Sequence, residues 1–141
     1  MASVYLIGSL RSPRVLVVAA ELRTAGHDVY DDWFSPGPEA DDHWQAYERQ
    51  RGRNFAEAVR GWHATHVFIN DKCHLDQCDA AVLVMPAGKS AHLELGYVIG
   101  RGQRGYVLLD GEPERFDIMY RFADGIYYDT AALLVALKEA A

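Results

Sequence analysis

The sequence predicts an α/β domain, a three-layer sandwich with a mainly parallel sheet of about five strands. Three observations carry this expectation. Short aliphatic runs recur along the chain at Val4–Ile7, Ala80–Met85 and Gly105–Leu109. The middle run is apolar without interruption, as suits a parallel strand covered on both faces. Segments of helical composition separate the runs, and alternating strands and helices build parallel sheets. At 141 residues the chain is expected to be one domain, long enough for a proper core.

In order, Val4-Tyr5-Leu6-Ile7 is strand one. It ends at Gly8-Ser9, where glycine permits a tight turn and close approach of the backbone to a ligand. Pro13 suits the first turn of the next helix. Val15, Val18, Ala19 and Leu22 keep helical spacing there, and Gly26 is the expected stop. His27–Tyr30 is a short second strand with Asp31-Asp32-Trp33-Phe34 at its carboxyl end. Ser35–Pro38 is loop. Glu39 to about Ala64 is polar and helical in composition, with breaks at Gly52 and Gly61. Trp44, Tyr47 and Phe55 are its expected packing residues, and the segment suits a lid or a subunit contact. His66–Asn70 reads locally as a strand closed by Asp71, with a short helix from Lys72 to Gln77. After Ala80–Met85, Pro86–Lys89 is loop and Ser90 a good helix N-cap. A helix from about Ala91 to Arg101 then carries Glu94 in its first turn, with Gly96 and Gly100 on one face to let it lie close to the sheet. Gly105–Leu109 is a buried strand, Glu112–Ala123 a short helix, Gly125–Tyr128 a short strand, and Thr130–Ala140 the closing helix. No repeat, low-complexity tract or linker interrupts this order.

Composition excludes several functions. Half the residues are hydrophobic and the net charge is −6, so a nucleic acid polymer, which wants a basic face, is not the expected partner. A small phosphorylated ligand needs only a few local donors and stays open. The apolar run Val15–Ala20 is too short for a signal peptide, and no stretch is long enough to span a membrane. Two cysteines make no disulfide framework, so a reducing cytoplasm is the expected compartment.

The chemistry concentrates at strand ends. In open parallel sheets ligands bind beyond the carboxyl ends of the strands. Asp71 and Glu94 are both expected at that edge, and two carboxylates flanking one bond are the apparatus of glycosyl transfer. A helix N-terminus would hold Glu94 ionised, ready to act as a nucleophile. Spacing alone leaves a second reading open, in which each acid is an ordinary surface or helix-dipole residue. Tyr5 is either a core tyrosine or a partner of these acids. Gly8, Ser9 and Arg11 lead into a helix N-terminus and suit a phosphate, or else form a structural turn with a solvated arginine. Asp32 and Trp33 suit recognition of a base by hydrogen bond and stacking, or a cap and a packed ring. Gly88 and Ser90 offer backbone N–H groups. Gly88-Lys89-Ser90 resembles the tail of a triphosphate-binding loop, but that motif needs glycine where Leu83 stands. The dinucleotide fingerprint GxGxxG is absent. His63, His66, Cys73, His74 and Cys78 lack a usual zinc spacing, so no metal is expected.

SAHLELGYVIGRGQ, the upstream Asn70-Asp71 and the opening VYLIGSLR together resemble the nucleoside 2-deoxyribosyltransferase family. That family includes the 2'-deoxynucleoside 5'-phosphate N-hydrolases, whose similar Gly-Ser-Ile-Arg makes a 5'-monophosphate a candidate ligand. The similarity runs from Val4 to about Leu109 and implies a flavodoxin-like domain. It implies Glu94 as the nucleophile, Asp71 as the residue managing the proton on the base, and Tyr5 as the side chain that orients Glu94. It also implies a nucleoside or nucleotide substrate, no cofactor, and a homo-oligomer in which a neighbouring subunit completes the site. It further makes the Asn70 region more helical than its local pattern. The chain departs from the family's transferases at Gly88, where they place an acid six residues before the nucleophile. It also lacks their C-terminal asparagine. A non-catalytic nucleotide-signal binder and an NAD-cleaving defence-type domain remain as alternatives from other classes.

Overall fold

A computed structural model describes residues 1–140 of the protein. Five strands form one sheet in the order β2-β1-β3-β4-β5. They are β1 (Ser3–Ile7), β2 (Asp28–Tyr30), β3 (Ala80–Val84), β4 (Arg104–Leu108) and β5 (Gly125–Tyr127), and every neighbouring pair is parallel. Six α-helices accompany them: α1 (Arg14–Thr24), α2 (Ala40–Gln50), α3 (Phe55–Val59), α4 (Trp62–Gln77), α5 (Lys89–Gly100) and α6 (Thr130–Ala140). This is a flavodoxin-like three-layer α/β sandwich.

Alternation along the strands divides the core into two. On one face Val4, Leu6, Val82, Val84 and Leu108 pack against Val15, Val18, Ala19 and Leu22 of α1 and Leu133 and Leu137 of α6. On the other, Tyr5, Ile7, Ala81, Leu83 and Val107 pack against Leu75 of α4 and Ala91, Leu95 and Val98 of α5. The expected α1 stripe is thus the buried one, and Gly26 adopts the positive φ of a helix stop. β3 is buried along its whole length, as its unbroken apolar run requires. At the carboxyl edge Arg14 ties two strands together. Its Nη1 donates to the Met85 carbonyl at 2.7 Å and its Nη2 to the Leu109 carbonyl at 2.9 Å.

Several expectations are corrected. His66–Asn70 is not a strand, and Lys72–Gln77 is not a separate helix: both belong to the single helix α4. Val67, Phe68 and Ile69 have local strand preference, yet tertiary context overrides it. Helix α5 starts at Lys89 with Gly88 at its N-cap, and Ser90 caps nothing. Gly96 and Gly100 do not face the sheet. Open space surrounds both, because Ala91, Leu95 and Val98 occupy the buried side. Tyr47 and Phe55 are exposed rather than packed. The buried anchor of that segment is instead Glu48, paired with Arg53 at 3.1 Å. Of Glu112–Ala123, only Ile118–Phe122 winds into a 3₁₀ turn, capped by the Asp117 side chain.

Candidate functional site

The site begins with a register. Tyr5 in β1 and Tyr30 in β2 are direct parallel partners, so their side chains leave the sheet on the same face. Their rings lie 5.2 Å apart between centroids. Helices α4 and α5 cover this face and bring down one acid each, Asp71 and Glu94. Asp71 therefore does not sit at the carboxyl edge of a strand, as expected. It lies inside α4, and the helix carries it across the sheet to the two tyrosines. A polar network staples α4 to α5. The Tyr97 hydroxyl donates to Asp76, which also receives Lys72 Nζ at 2.8 Å and lies 3.6 Å from Arg101 Nε.

Glu94 stands in the second turn of α5, whose first turn holds no acid. The helix N-terminus acts within its own first turn, so burial decides the protonation of Glu94. Desolvation pushes its carboxyl up to about 7. The nearby Asp71 pushes the same way, while the Tyr5 hydroxyl opposes both. Burial thus works against the ionised Glu94 that a helix N-terminus would favour. Burial likewise raises the Asp71 carboxyl, opposed by Asn70, His74 and Tyr30. The phenol of Tyr5, 1% exposed, is driven far above its ordinary value by burial and by both acids. Tyr5, Glu94 and Asp71 thus influence one another's charge.

The expected binding residues are more dispersed. Gly8 is glycine because a Cβ there would lie 2.8 Å from Val15 Cγ2. The close approach it permits is to helix α1. The Ser9 hydroxyl accepts from the Arg11 N–H at 3.1 Å, which shapes the turn. Arg11 is exposed and pairs with Asp42 of α2 at 2.6 Å. Trp33 donates its indole N–H to the Leu6 carbonyl at 2.7 Å, so its ring is a packing element between β1 and the following loop. Asp31 is held by Arg23 at 2.7 Å, and Asp32 is the exposed acid of the pair. Gly88 lines an open depression of about 560 Å³ with Ala87, Lys89, His92 and Leu93, whereas Ser90 is exposed. A second depression, lined by Ala20, Glu21, Thr24, Ala25 and Leu134, lies on the α1/α6 side. Neither depression is lined by Tyr5, Asp71 or Glu94. Among the described residues no three His, Cys, Asp or Glu side chains converge as metal ligands.

Sequence reasoning passed over two members of the cluster and gave Asn70 no role of its own. Tyr30 accepts from Asn70 Nδ2 at 3.0 Å, and its ring stacks on His74 at 3.8 Å and 14°. His74 Nδ1 contacts the Asn70 carbonyl at 2.9 Å. The i, i+4 spacing of Asn70 and His74 was the available signal, but it counts only once the segment is one helix. The molecule is thus a flavodoxin-like α/β protein with a carboxyl pair and two tyrosines on one face of its sheet. No protein-family model matches the chain, and no curated protein matches it significantly.

Proposed function

We propose that the protein cleaves the N-glycosidic bond of a nucleoside or nucleoside 5'-monophosphate. One feature carries this reading: two carboxyls from different helices, both raised by burial, lie close enough to Tyr5 for their charge to raise its phenol. Glycosyl transfer with retention needs such a pair. In its ionised form Glu94 attacks C1', and the bond from C1' to the base nitrogen breaks. The electron pair of that bond leaves with the base, which takes a proton from Asp71. Burial favours the protonated form of Asp71 that this step needs. Tyr5 keeps the Glu94 carboxylate aligned. Water, or a second base, then displaces Glu94 from the sugar while the now ionised Asp71 takes its proton, which gives hydrolysis or base exchange and returns both acids to their starting forms.

Ser9, Arg11 and the N–H groups beside Gly88 and Ser90 would take a 5'-phosphate once Asp42 is displaced from Arg11. In this reading Asp32 and the outer edge of Trp33 would recognise the base. The reaction requires no metal or organic cofactor, and the active form is a homo-oligomer. Chromatography of base released from a panel of nucleosides, nucleotides and NAD tests the reading. Release from a nucleoside or nucleotide, lost by a factor of about 10⁴ or more in Glu94→Ala, is expected for a covalent nucleophile. Unchanged release from Glu94→Ala, or no release at all, overturns it. Release from NAD alone makes the protein an NAD-cleaving enzyme instead. Adding a second base separates exchange from hydrolysis.

A further inference from the structure

Helix α4 has a thin seat on the sheet. Leu75 is its one buried residue, whereas α5 buries Ala91, Leu95 and Val98. Apolar packing is non-directional, so a single buried side chain does not set how α4 lies along α5. Polar contacts near the C-terminal ends of the two helices supply that direction. The Tyr97 hydroxyl of α5 donates to Asp76 of α4. Lys72 Nζ donates to the same carboxylate at 2.8 Å, and Arg101, just past α5, has its Nε 3.6 Å away. Both cations also stand over the Tyr97 ring, each 5.6 Å from its centroid. Gln103 secures the far end. Its Nε2 donates to the Leu75 carbonyl at 2.8 Å and to the Cys78 carbonyl at 2.7 Å, while its Oε1 accepts from Arg101 Nε at 2.9 Å. Asp76, its side chain 27% exposed, is thus the node of a network that crosses from one helix to the other.

We propose that Asp76 and Tyr97 are positioning residues, whose contact fixes α4 against α5 and so sets where Asp71 stands relative to Glu94. The role rests on the glycosidic reading above. By helical rise, Asp71 precedes Asp76 by about 7.5 Å along α4, and Glu94 precedes Tyr97 by about 4.5 Å along α5. The node and the acids therefore share the same short stretch of the same two helices, and a slip at the node is passed on to the acids. Tyr30 holds α4 to β2 through Asn70 and His74, which fixes the helix to the sheet but not to α5. Two carboxyls acting on one glycosidic bond must keep a set separation, because one attacks while the other protonates. Misplacement by about 1 Å in such a site costs about a hundredfold in rate. Asp76 and Tyr97 need not touch substrate, since each acts through the helix that carries an acid.

Helix spacing and chemistry are read separately. Cys73 of α4 is exposed and Cys78 is buried, so a thiol-directed spin label takes Cys73. Leu93→Cys, at a position 76% exposed, gives a second label on α5. Labelled protein is diluted into unlabelled protein, so that the distance read by pulsed electron spin resonance lies within one chain. That distance is expected to broaden or shift in Tyr97→Phe and in Asp76→Ala. On base release from unlabelled protein, kcat is expected to fall about ten- to a hundredfold in both, with KM changed less than about threefold. Asp76→Asn keeps an oxygen for the Tyr97 hydroxyl and is expected to retain kcat within about threefold. Combining Tyr97→Phe with Asp76→Ala is expected to cost no more than the worse single change, since both remove one contact. An unmoved distance overturns the proposal, as does a kcat that holds while the distance moves. Should the wild type release no base, the glycosidic reading falls, while the distance still decides whether the node sets the helix spacing. If Tyr97→Phe fails to fold, the two Asp76 variants decide, and equal kcat in both counts against the node.

Discussion

In the proposed reaction Glu94 must be charged to attack the sugar carbon, and it resides where charge is disfavoured. Its folded value of about 7 stands above the ordinary 4.5. Between those two values the folded protein binds more protons than the unfolded chain. Stability therefore falls as pH rises from about 4.5 to about 7 and stays reduced above it. Keeping the carboxylate ionised in this site costs about 3 kcal/mol relative to water. Glu94→Gln removes that cost, so its melting temperature is expected to exceed wild type by several degrees at pH 8 and by little at pH 4.5. Thermal melts at both pH values check this, and the same increment at both would contradict it. The position of Glu94 near the start of a helix after a buried strand was legible in the sequence. Its protonation was not, because that depends on which turn of the helix it occupies. A start two residues earlier than expected moved Glu94 out of reach of the helix N-terminus.

At the scale of elements, local signals succeeded where chain chemistry acted alone and failed where another element decided. The α1 stripe of Val15, Val18, Ala19 and Leu22 was readable because its spacing is itself the packing pattern. The strand reading of His66–Asn70 failed because strand identity needs a partner. The sheet is completed by the five other strands, and Val67, Phe68 and Ile69 stand exposed on a helix. That error also misplaced Asp71, which reaches the site by helical geometry. Capping shows the same contrast. Ser90 is a good cap by type, yet the helix begins before it. Asn54 is the working cap: its side chain accepts from the Glu57 N–H at 2.9 Å, and Glu57 returns the bond to the Asn54 N–H at 3.1 Å. Asn54→Ala is expected to lower stability by about 1 kcal/mol and Ser90→Ala by less than about 0.5 kcal/mol. Urea denaturation of both variants measures the difference, and a larger loss from Ser90→Ala would contradict the observed helix start.

For the molecule as a whole, layer order was readable from the alternation of strand and helix runs, but the outer surface was not. The α4/α5 layer that covers the site shows large apolar side chains to solvent. Phe68 is 64% exposed, Ile69 60% and Leu93 76%. Open space around Gly96 and Gly100 leaves α5 nearly bare beside Leu93. Exposed apolar residues on one layer carry an association penalty in water that a second copy would relieve. These same two helices hold Asp71 and Glu94, so an interface on them would border the site and exclude water from it. The proposed homo-oligomer thus has an apolar surface available on the two helices that carry both acids. Light scattering at tens of micromolar protein is expected to give a mass of two chains or more. Adding charge with Phe68→Glu and Leu93→Glu, both outside the core, is expected to return the protein to a monomer with its helix content intact. Base release should fall in that monomer even though Glu94, Asp71 and Tyr5 are untouched. A wild type that is monomeric at this concentration, or a charged variant that stays associated, places the contact elsewhere or removes it.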